Sequence, residues 1–398
     1  MSDVPTPEAA AGGEDPDHRA KRRDGGRVLG RLRAWQLLLL GSGLLALAAL
    51  LAGVVAGTRP RAAAMRRRTK AETRARHDTA VPSASILVRH HHVPLCPLTG
   101  TPAPGGVVPP RPALGVKIGN DPASRPQTGL LEADIVYDEM AEGGITRYLA
   151  IFQCHEAPVL GPTRSVRWDD WHILASYGHP ILAFSGGIDQ WDQAVAEQTW
   201  LFDANGSVMP TAAAYYRTSN RVAPWNYYTS TEALWALDQS REPPPAQFVY
   251  SLRPPKGTTK AASVTIANFD STSSGAANLT WTWSAKLKVW LRSYAGVPDI
   301  DSSGKQLRAT NVVVEMVGTR PGPYAETANV PDTESITEGS GAAYVLRNGL
   351  VEKGTWNCPR YGDPTSLRLP DGQRMTLDPG NTWVELVPSS GYPVSFAP

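Results

Sequence analysis

The chain has 398 residues, too many for one average domain, so two globular domains with appendages is the starting expectation. A formal net charge of +2 conceals an asymmetry: residues 1–78 hold 15 Lys/Arg against 8 Asp/Glu, which leaves 24 against 29 in the rest. An acidic globular part argues against a nucleic-acid partner, and the basic excess flanks the one long apolar run, where a membrane is the natural counterpart.

In chain order, residues 1–34 are rich in Gly, Asp, Ala and Arg, with little to bury, and read as a disordered tail. Trp35 to Gly57 is uncharged, dominated by Leu, Ala, Gly and Val, and about long enough to cross the hydrocarbon core as a helix. The apolar part exceeds an ordinary signal-peptide core, and no small-residue cleavage site is cleanly placed before the Arg-rich segment Arg59 to Arg76. An uncleaved transmembrane anchor is therefore expected. No cysteine follows the run directly, so the usual lipidated N-terminus is not. Seven Lys/Arg precede the run and eight follow it, so charge alone does not orient it. Residues 58–110 are basic, then rich in Pro and Gly, and read as a linker; His90-His91-His92 within it is expected to be solvated rather than metal-binding.

From 111 to 245 strand-like and helix-like runs alternate, predicting an α/β domain with a mixed sheet. Strands are expected at Ala113–Ile118, Ala133–Met140, Tyr148–Gln153 and Pro180–Ser185, and helices over Trp168–Tyr177, Ile188–Thr199 and Ala233–Gln239, the last behind the capping pattern Thr229-Ser230-Thr231-Glu232. Pro243-Pro244-Pro245 breaks the chain. Residues 246–398 read as mostly β, with Trp-rich alternating runs at Leu279–Ser284 and Leu287–Leu291, a β-branched run at Asn311–Val317, and hairpin turns at Asn348-Gly349 and Asp371-Gly372. Trp281, Trp283 and Trp290 alternate at strand period and are expected in the core. The three cysteines, Cys96, Cys154 and Cys358, allow one disulfide with a thiol left over or three free thiols. If Cys96 and Cys154 lie close together, they are the expected pair.

The run Gly161-Pro162-Thr163-Arg164-Ser165-Val166-Arg167 stands out as a candidate site. A Gly-Pro turn ends an apolar stretch, and two arginines precede a predicted helix start, where free backbone N–H groups and guanidinium forks would suit a phosphate or carboxylate.

Many short runs resemble the YerB-like family of bacterial envelope lipoproteins, a domain of unknown function. In the N-terminal half these are Pro97–Gly100, Arg111–Asn120, Arg125–Gly129, Ala133–Tyr137, Glu142–Arg147, Gly161–Arg167 and Arg221–Asn226. In the C-terminal half they are Asn311–Val314, Gly339–Trp356 and Leu377–Trp383. The resemblance implies anchoring to the outer face of the plasma membrane, hence a cytoplasmic N-terminus, and supplies no activity, substrate or cofactor. A transmembrane span here stands where lipoprotein members carry a lipidated cysteine.

Arg125, Arg147, Arg164 and Arg167 lie within the resembling runs and as a group would clamp an anionic envelope component. The structural alternative is salt bridging to Glu132, Asp134, Glu139 or Glu142. Ser165 lacks a nucleophile elbow and an assignable base, so helix N-capping is its expected role. Asp169 and Asp170 could ligate a cation with Asp121 or Asp138, but carboxylates in a first helical turn are ordinary dipole partners, and no metal or cofactor is expected. His155 and His172 read as structural. Two functions remain: a module binding an anionic envelope ligand at Arg164 and Arg167, or a cell-wall polymer hydrolase or transferase in which Asp169, Asp170 or Glu142 supplies the acid or base.

Overall fold

In the computed structural model, residues 93–398 are described apart from 241, 255–256, 273–274 and 327–328. The expected membrane span, the His triplet and the basic segment after the span lie outside the described residues, among which no helix is long and apolar enough to cross a membrane.

The described chain is mostly β, with mixed sheets and three short α-helices. The elements that matter below are β1 Leu114–Gly119, β2 Ile135–Met140, β3 Thr146–Phe152, α1 Trp168–Leu174, β4 Ile181–Phe184, α2 Asp189–Ala196, β5 Phe202–Asn205 and α3 Thr231–Trp235 in the N-terminal half. The C-terminal half supplies β6 Ser263–Thr272, β7 Gly275–Ser284, β8 Val289–Tyr294, β9 Asn311–Ala325, β10 Pro331–Ile336, β11 Gly339–Arg347, β12 Leu350–Cys358, β13 Ser366–Arg368, β14 Thr382–Pro388 and β15 Val394–Ala397.

Ten of these strands form one large sheet in the order β13-β12-β11-β9-β14-β2-β3-β1-β4-β5, with β10 joined to β9. The expected boundary at 245 marks a change in strand supply, yet the sheet crosses it: β14 pairs in parallel with β2 on one side and with β9 on the other. The described residues form one compact unit. Strands β1, β4 and β5 are mutually parallel, so Gly119, Phe184 and Asn205 end on the same edge.

Alternation along the central strands puts apolar side chains on both faces of the large sheet. Ile135, Leu149, Ile151, Val313 and Leu386 meet Trp171, Leu174, Trp191 and Val195 of α1 and α2. Val136, Tyr148, Ala150 and Val312 meet a second sheet built on β8-β7-β6-β15, through Val264, Leu279, Trp281 and Trp290. The result is three layers around two apolar interfaces. Trp281 and Trp290 are fully buried, and Trp281 meets Trp383 edge-on with centroids 5.3 Å apart. One ion cluster crosses the second interface: Arg292 of β8 bonds Asp138 of β2 and, at 2.7 Å, Asp299, while Trp281 donates to Glu385 of β14 at 2.8 Å.

Asn348 and Gly349 adopt φ of 49° and 72°, the left-handed pair that a two-residue hairpin between β11 and β12 requires. The end of the stretch read as a linker is packed instead: Leu98 is fully buried, and Cys96 is disulfide-bonded to Cys154. Apolar Leu98, Cys96 and Ala103 supply the reason, since all three are buried despite the Pro/Gly composition around them. Cys358 is free and buried.

Candidate functional site

The strap 161–167 fills the space between the carboxyl ends of β1 and β4. Gly119 donates to the Pro162 carbonyl, Arg164 N–H to Lys117, Ser185 N–H to Arg164, and Val166 N–H to Gly186, all at 2.9–3.0 Å. Backbone pairing on both sides fixes the direction of each strap side chain. Gly119 is required beneath it, because a β-carbon there would sit 2.6 Å from Arg164 Cγ and 2.3 Å from Ser124 Oγ. Asn205 closes the neighbouring strand end, its Oδ1 accepting from Gly186 N–H and Ser207 N–H at 3.0 and 2.9 Å.

The seven expected site residues separate into three places. The first is a buried charge knot at the start of α1. Glu142 accepts from Arg147 Nη2 at 2.8 Å and from Arg167 Nη2 and Nε at 2.7 and 3.1 Å. Burial opposes ionisation of Glu142, but the two guanidiniums more than offset it and hold the carboxyl down at about 2. Burial, then the neighbouring Arg167, lowers Arg147 to about 10. Burial would also lower Arg167, but Glu142, Asp332 and Glu326 together keep it above its ordinary value. Asp332 and Glu326 reach it from the β9–β10 arm, at 3.5 and 3.6 Å.

Asp169 and Asp170 belong to the same knot. Asp169 accepts from Ser335 N–H of the arm at 2.8 Å, and burial, then Asp332, pushes its carboxyl well up. Asp170 accepts from Arg167 N–H at 2.6 Å and from Lys117 Nζ at 2.9 Å; Lys117 also contacts Glu139 and is fully buried. Arg167, not Ser165, occupies the N-cap of α1, because the carboxylate reaching back from the first turn is that of Asp170. Ser165 is half-buried two residues earlier, and its carbonyl accepts weakly from Arg147 at 3.4 Å.

The second place is the mouth above Gly119. Arg164 keeps a partly exposed guanidinium whose only carboxylate among the described residues is Asp121, at a loose 3.7 Å from its buried Nε. Asp121 is already engaged by Trp225 Nε1 at 2.7 Å and Ser124 Oγ at 2.6 Å. The Trp225 ring stands 6.0 Å from the Arg164 guanidinium. Arg221 closes the same group with bonds to the carbonyls of Ala123, Ser124 and Pro126, so its charge meets neutral partners. Arg125 lies apart, bonded to Asp270 at 2.7 Å and Asn120 at 3.0 Å, and stacked on Tyr294.

Of the partners offered for the arginines by the sequence, Glu142 alone takes that role. Glu139 pairs with Lys117, and Asp134 accepts from His155 and from the N–H groups of Gln153 and Cys154. Asp138 is committed to Arg292 and so lies away from Asp169 and Asp170. His172 stacks on Trp168 at 3.9 Å. Arg221 and Trp225 were not singled out from the sequence as site residues, although the run that contains them was.

Residues 98–243 match the family described as Protein of unknown function (DUF3048) N-terminal domain, and residues 268–384 match its C-terminal domain. "Putative lipoprotein YerB" of Bacillus subtilis (strain 168) is 26% identical over 318 residues, which cover 73% of this chain and 86% of that protein. The crystal structure of the YerB protein from Bacillus subtilis superposes with a TM-score of 0.61 at 23% identity, over 76% of this chain and 99% of that one, a likeness of fold. With both family domains present in order, the chain belongs to the DUF3048 family.

Proposed function

We propose that this chain is an extracytoplasmic envelope protein, held at the plasma membrane by a span at Trp35–Gly57, that binds an anionic envelope ligand at Arg164 beside Arg221 and Trp225. One observation carries the binding reading: Arg164 is a partly exposed cation with no close ion pair, and its nearest carboxylate, Asp121 at 3.7 Å, is shared with two other donors. Arg147 and Arg167 are instead held by Glu142, with Asp332 and Glu326 beside Arg167, so they act as positioning residues. The location is supported by the Cys96–Cys154 disulfide, which persists in oxidising compartments, and by the lipoprotein name carried by the relative.

The hydrolase reading has less support. A general acid or base at neutral pH needs a carboxyl that exchanges protons there, and Glu142 is held ionised at about 2. Asp169 and Asp170 are buried under the arm and engaged by Ser335 and Lys117.

The test is full-length protein purified in detergent from envelope extract, with co-purified anions identified by mass spectrometry and inorganic phosphate titrated as a minimal probe. Arg164→Ala should lose about ten- to a hundred-fold in affinity with an unchanged melting temperature, the cost of one charge-assisted bond. Arg164→Lys should recover little of that loss, because an ammonium lacks the guanidinium fork. Unaltered capture by Arg164→Ala and Arg221→Ala together would remove the proposal.

A further inference from the structure

The helix-covered face of the large sheet carries an anomaly that the site above does not use. Along β9 the alternate residues Val313, Glu315 and Val317 point to that face, where both valines join the apolar core. The middle position of this apolar stripe is a carboxylate. Glu315 is 6% exposed and, among the described residues, makes no hydrogen bond and no ion pair. A buried polar group normally has a partner, and leaving one without costs free energy.

Glu315 lines a small cavity of about 30 Å³, room for one or two water-sized groups. The cavity lies between β9 and β2, the first residues after β10, α1 and the loop after β12. Its polar lining is one-signed: Glu338 and Asp363 stand with Glu315, and no Lys or Arg is among the lining residues. The basic residues of the adjoining loop and arm are already engaged, Arg360 by Asp363 at 3.0 Å and Arg320 by Glu334 at 2.6 Å. His172, also on the wall, is kept toward its neutral form by burial. Tyr137 contributes a phenol whose oxygen is 3.2 Å from that of Tyr177, and Cys358 a thiol whose ionisation burial opposes.

We propose that this cavity is a binding site for a primary ammonium group, with Glu315 as its counter-ion. The size admits an –NH3+ head on an unbranched stem. Binding exchanges one cation for another. In the empty site burial pushes the Glu315 carboxyl up to about 8, so near pH 7 it is mostly protonated; the incoming ammonium replaces that proton, which leaves to solvent. The ligand keeps all its own protons, and no bond other than the Glu315 O–H is broken.

The experiment is calorimetric titration of the full-length protein in detergent with methylammonium chloride, repeated in two buffers of different ionisation enthalpy to count protons. The expected result is saturable one-to-one binding that releases close to one proton at pH 7 and almost none above pH 9, with affinity rising with pH between. Nα-Acetyl-lysine amide tests the same ammonium on a tether, and its binding would assign the site to a side chain of a larger molecule rather than to a free amine. Glu315→Gln should lose both the proton release and at least about ten-fold in affinity. Glu315→Leu, which keeps the apolar stripe and should fold at least as stably, should lose binding altogether. Arg164→Ala should leave this titration unchanged, which separates the two sites. The proposal fails if no saturable heat appears, if either Glu315 variant binds like the wild type, or if sodium or potassium chloride competes equally well.

Discussion

Glu142 receives two guanidinium groups at 2.7–2.8 Å and is nine-tenths buried, so removing its charge leaves Arg147 without its close carboxylate where water does not reach it, and leaves Arg167 only the looser Asp332 and Glu326. Glu142→Gln should lower the stability of the described unit by about 3–5 kcal/mol, the usual cost of leaving a buried charge without its partner, and thermal melts would measure it. Arg164→Ala breaks no close ion pair, and its melting temperature should stay near the wild-type value. Equal losses from the two substitutions would mean that Arg164 is a structural residue. Neighbouring arginines in one short run, Arg164 and Arg167, thus do different work. Backbone pairing of the strap turns one outward over Gly119 and the other inward onto Glu142.

The β9–β10 arm, from Gly318 to Ile336, is the element that seals the charge knot. It brings Asp332 and Glu326 to Arg167 and donates Ser335 N–H to Asp169, while Lys117 and Glu142 face the same space from the sheet and the turn before β3. Burial raises Asp332 to about 7 against the pull of Arg167. A carboxyl with a raised folded pKa binds its proton more tightly in the docked state, so its contribution is complete below the ordinary carboxylate range and fades as pH rises toward about 7. Glu142, shifted the other way, loses its contribution only as pH falls toward about 2. The arm should therefore dock most firmly between about pH 4 and 5 and loosen steadily as pH rises toward 7. Hydrogen exchange of the amides of β10, corrected for intrinsic rates, should report weaker protection at pH 8.5 than at pH 5.5. Asp332→Asn should shrink the difference, the remainder coming from Asp169, whose carboxyl burial also pushes up beneath Ser335. A protection pattern independent of pH in the wild type would discard this account.

How legible such elements were depended on how far their causes reach along the chain. The Asn348-Gly349 hairpin and the start of α1 at Trp168 are set by a few neighbouring residues and are readable, whereas the capping pattern points to Thr229 and the cap of α3 is Ser230, which accepts from Ala233 N–H at 3.1 Å. β9 was expected to end at Val317 but runs to Ala325, because cross-strand pairing with β10 carries it through Gly318, Pro321, Gly322 and Pro323, residues that locally argue against a strand. Glu142 was named as a partner for the arginines because it lies nearby in sequence. Asp332 and Glu326 were not, since they arrive from the other half of the chain. Ser165 has the side chain of a good cap, but the carboxylate of Asp170 reaches back to Arg167 N–H and sets the helix start there.

At the scale of the molecule, two devices hold distant segments together. Arg292 is fully buried and bridges the two sheets; burial would lower its pKa, but Tyr148, Asp138, Glu385 and Asp299 keep the guanidinium charged. Asp138 is in turn held well above the carboxylate range by burial and by Glu385. The Cys96–Cys154 disulfide, closing a sequence separation of 58, ties the segment that leads toward the N-terminus onto the end of β3. In the loop-closure account such a bridge removes about 4 kcal/mol of unfolded-chain entropy. A Cys96→Ser, Cys154→Ser double variant should melt lower by a corresponding amount and expose residues 93–110 to protease while the rest of the unit resists. A non-reducing peptide map with Cys358 in a disulfide would contradict the pairing.

The insertion of β14 between β2 and β9 has a consequence for biogenesis. Ile135 finds its parallel partner in Thr382, so the edge of β2 stays open until almost the whole chain has emerged. A chain emerging from its N-terminus thus presents an unpaired strand edge throughout its synthesis, available to any other extended chain. Neither half can complete the shared sheet by itself, and a nascent chain cut short before Thr382 is left with an unfinished template for aggregation. Shielding of that edge, rather than folding of two modules in succession, is what the architecture demands until the last strand arrives.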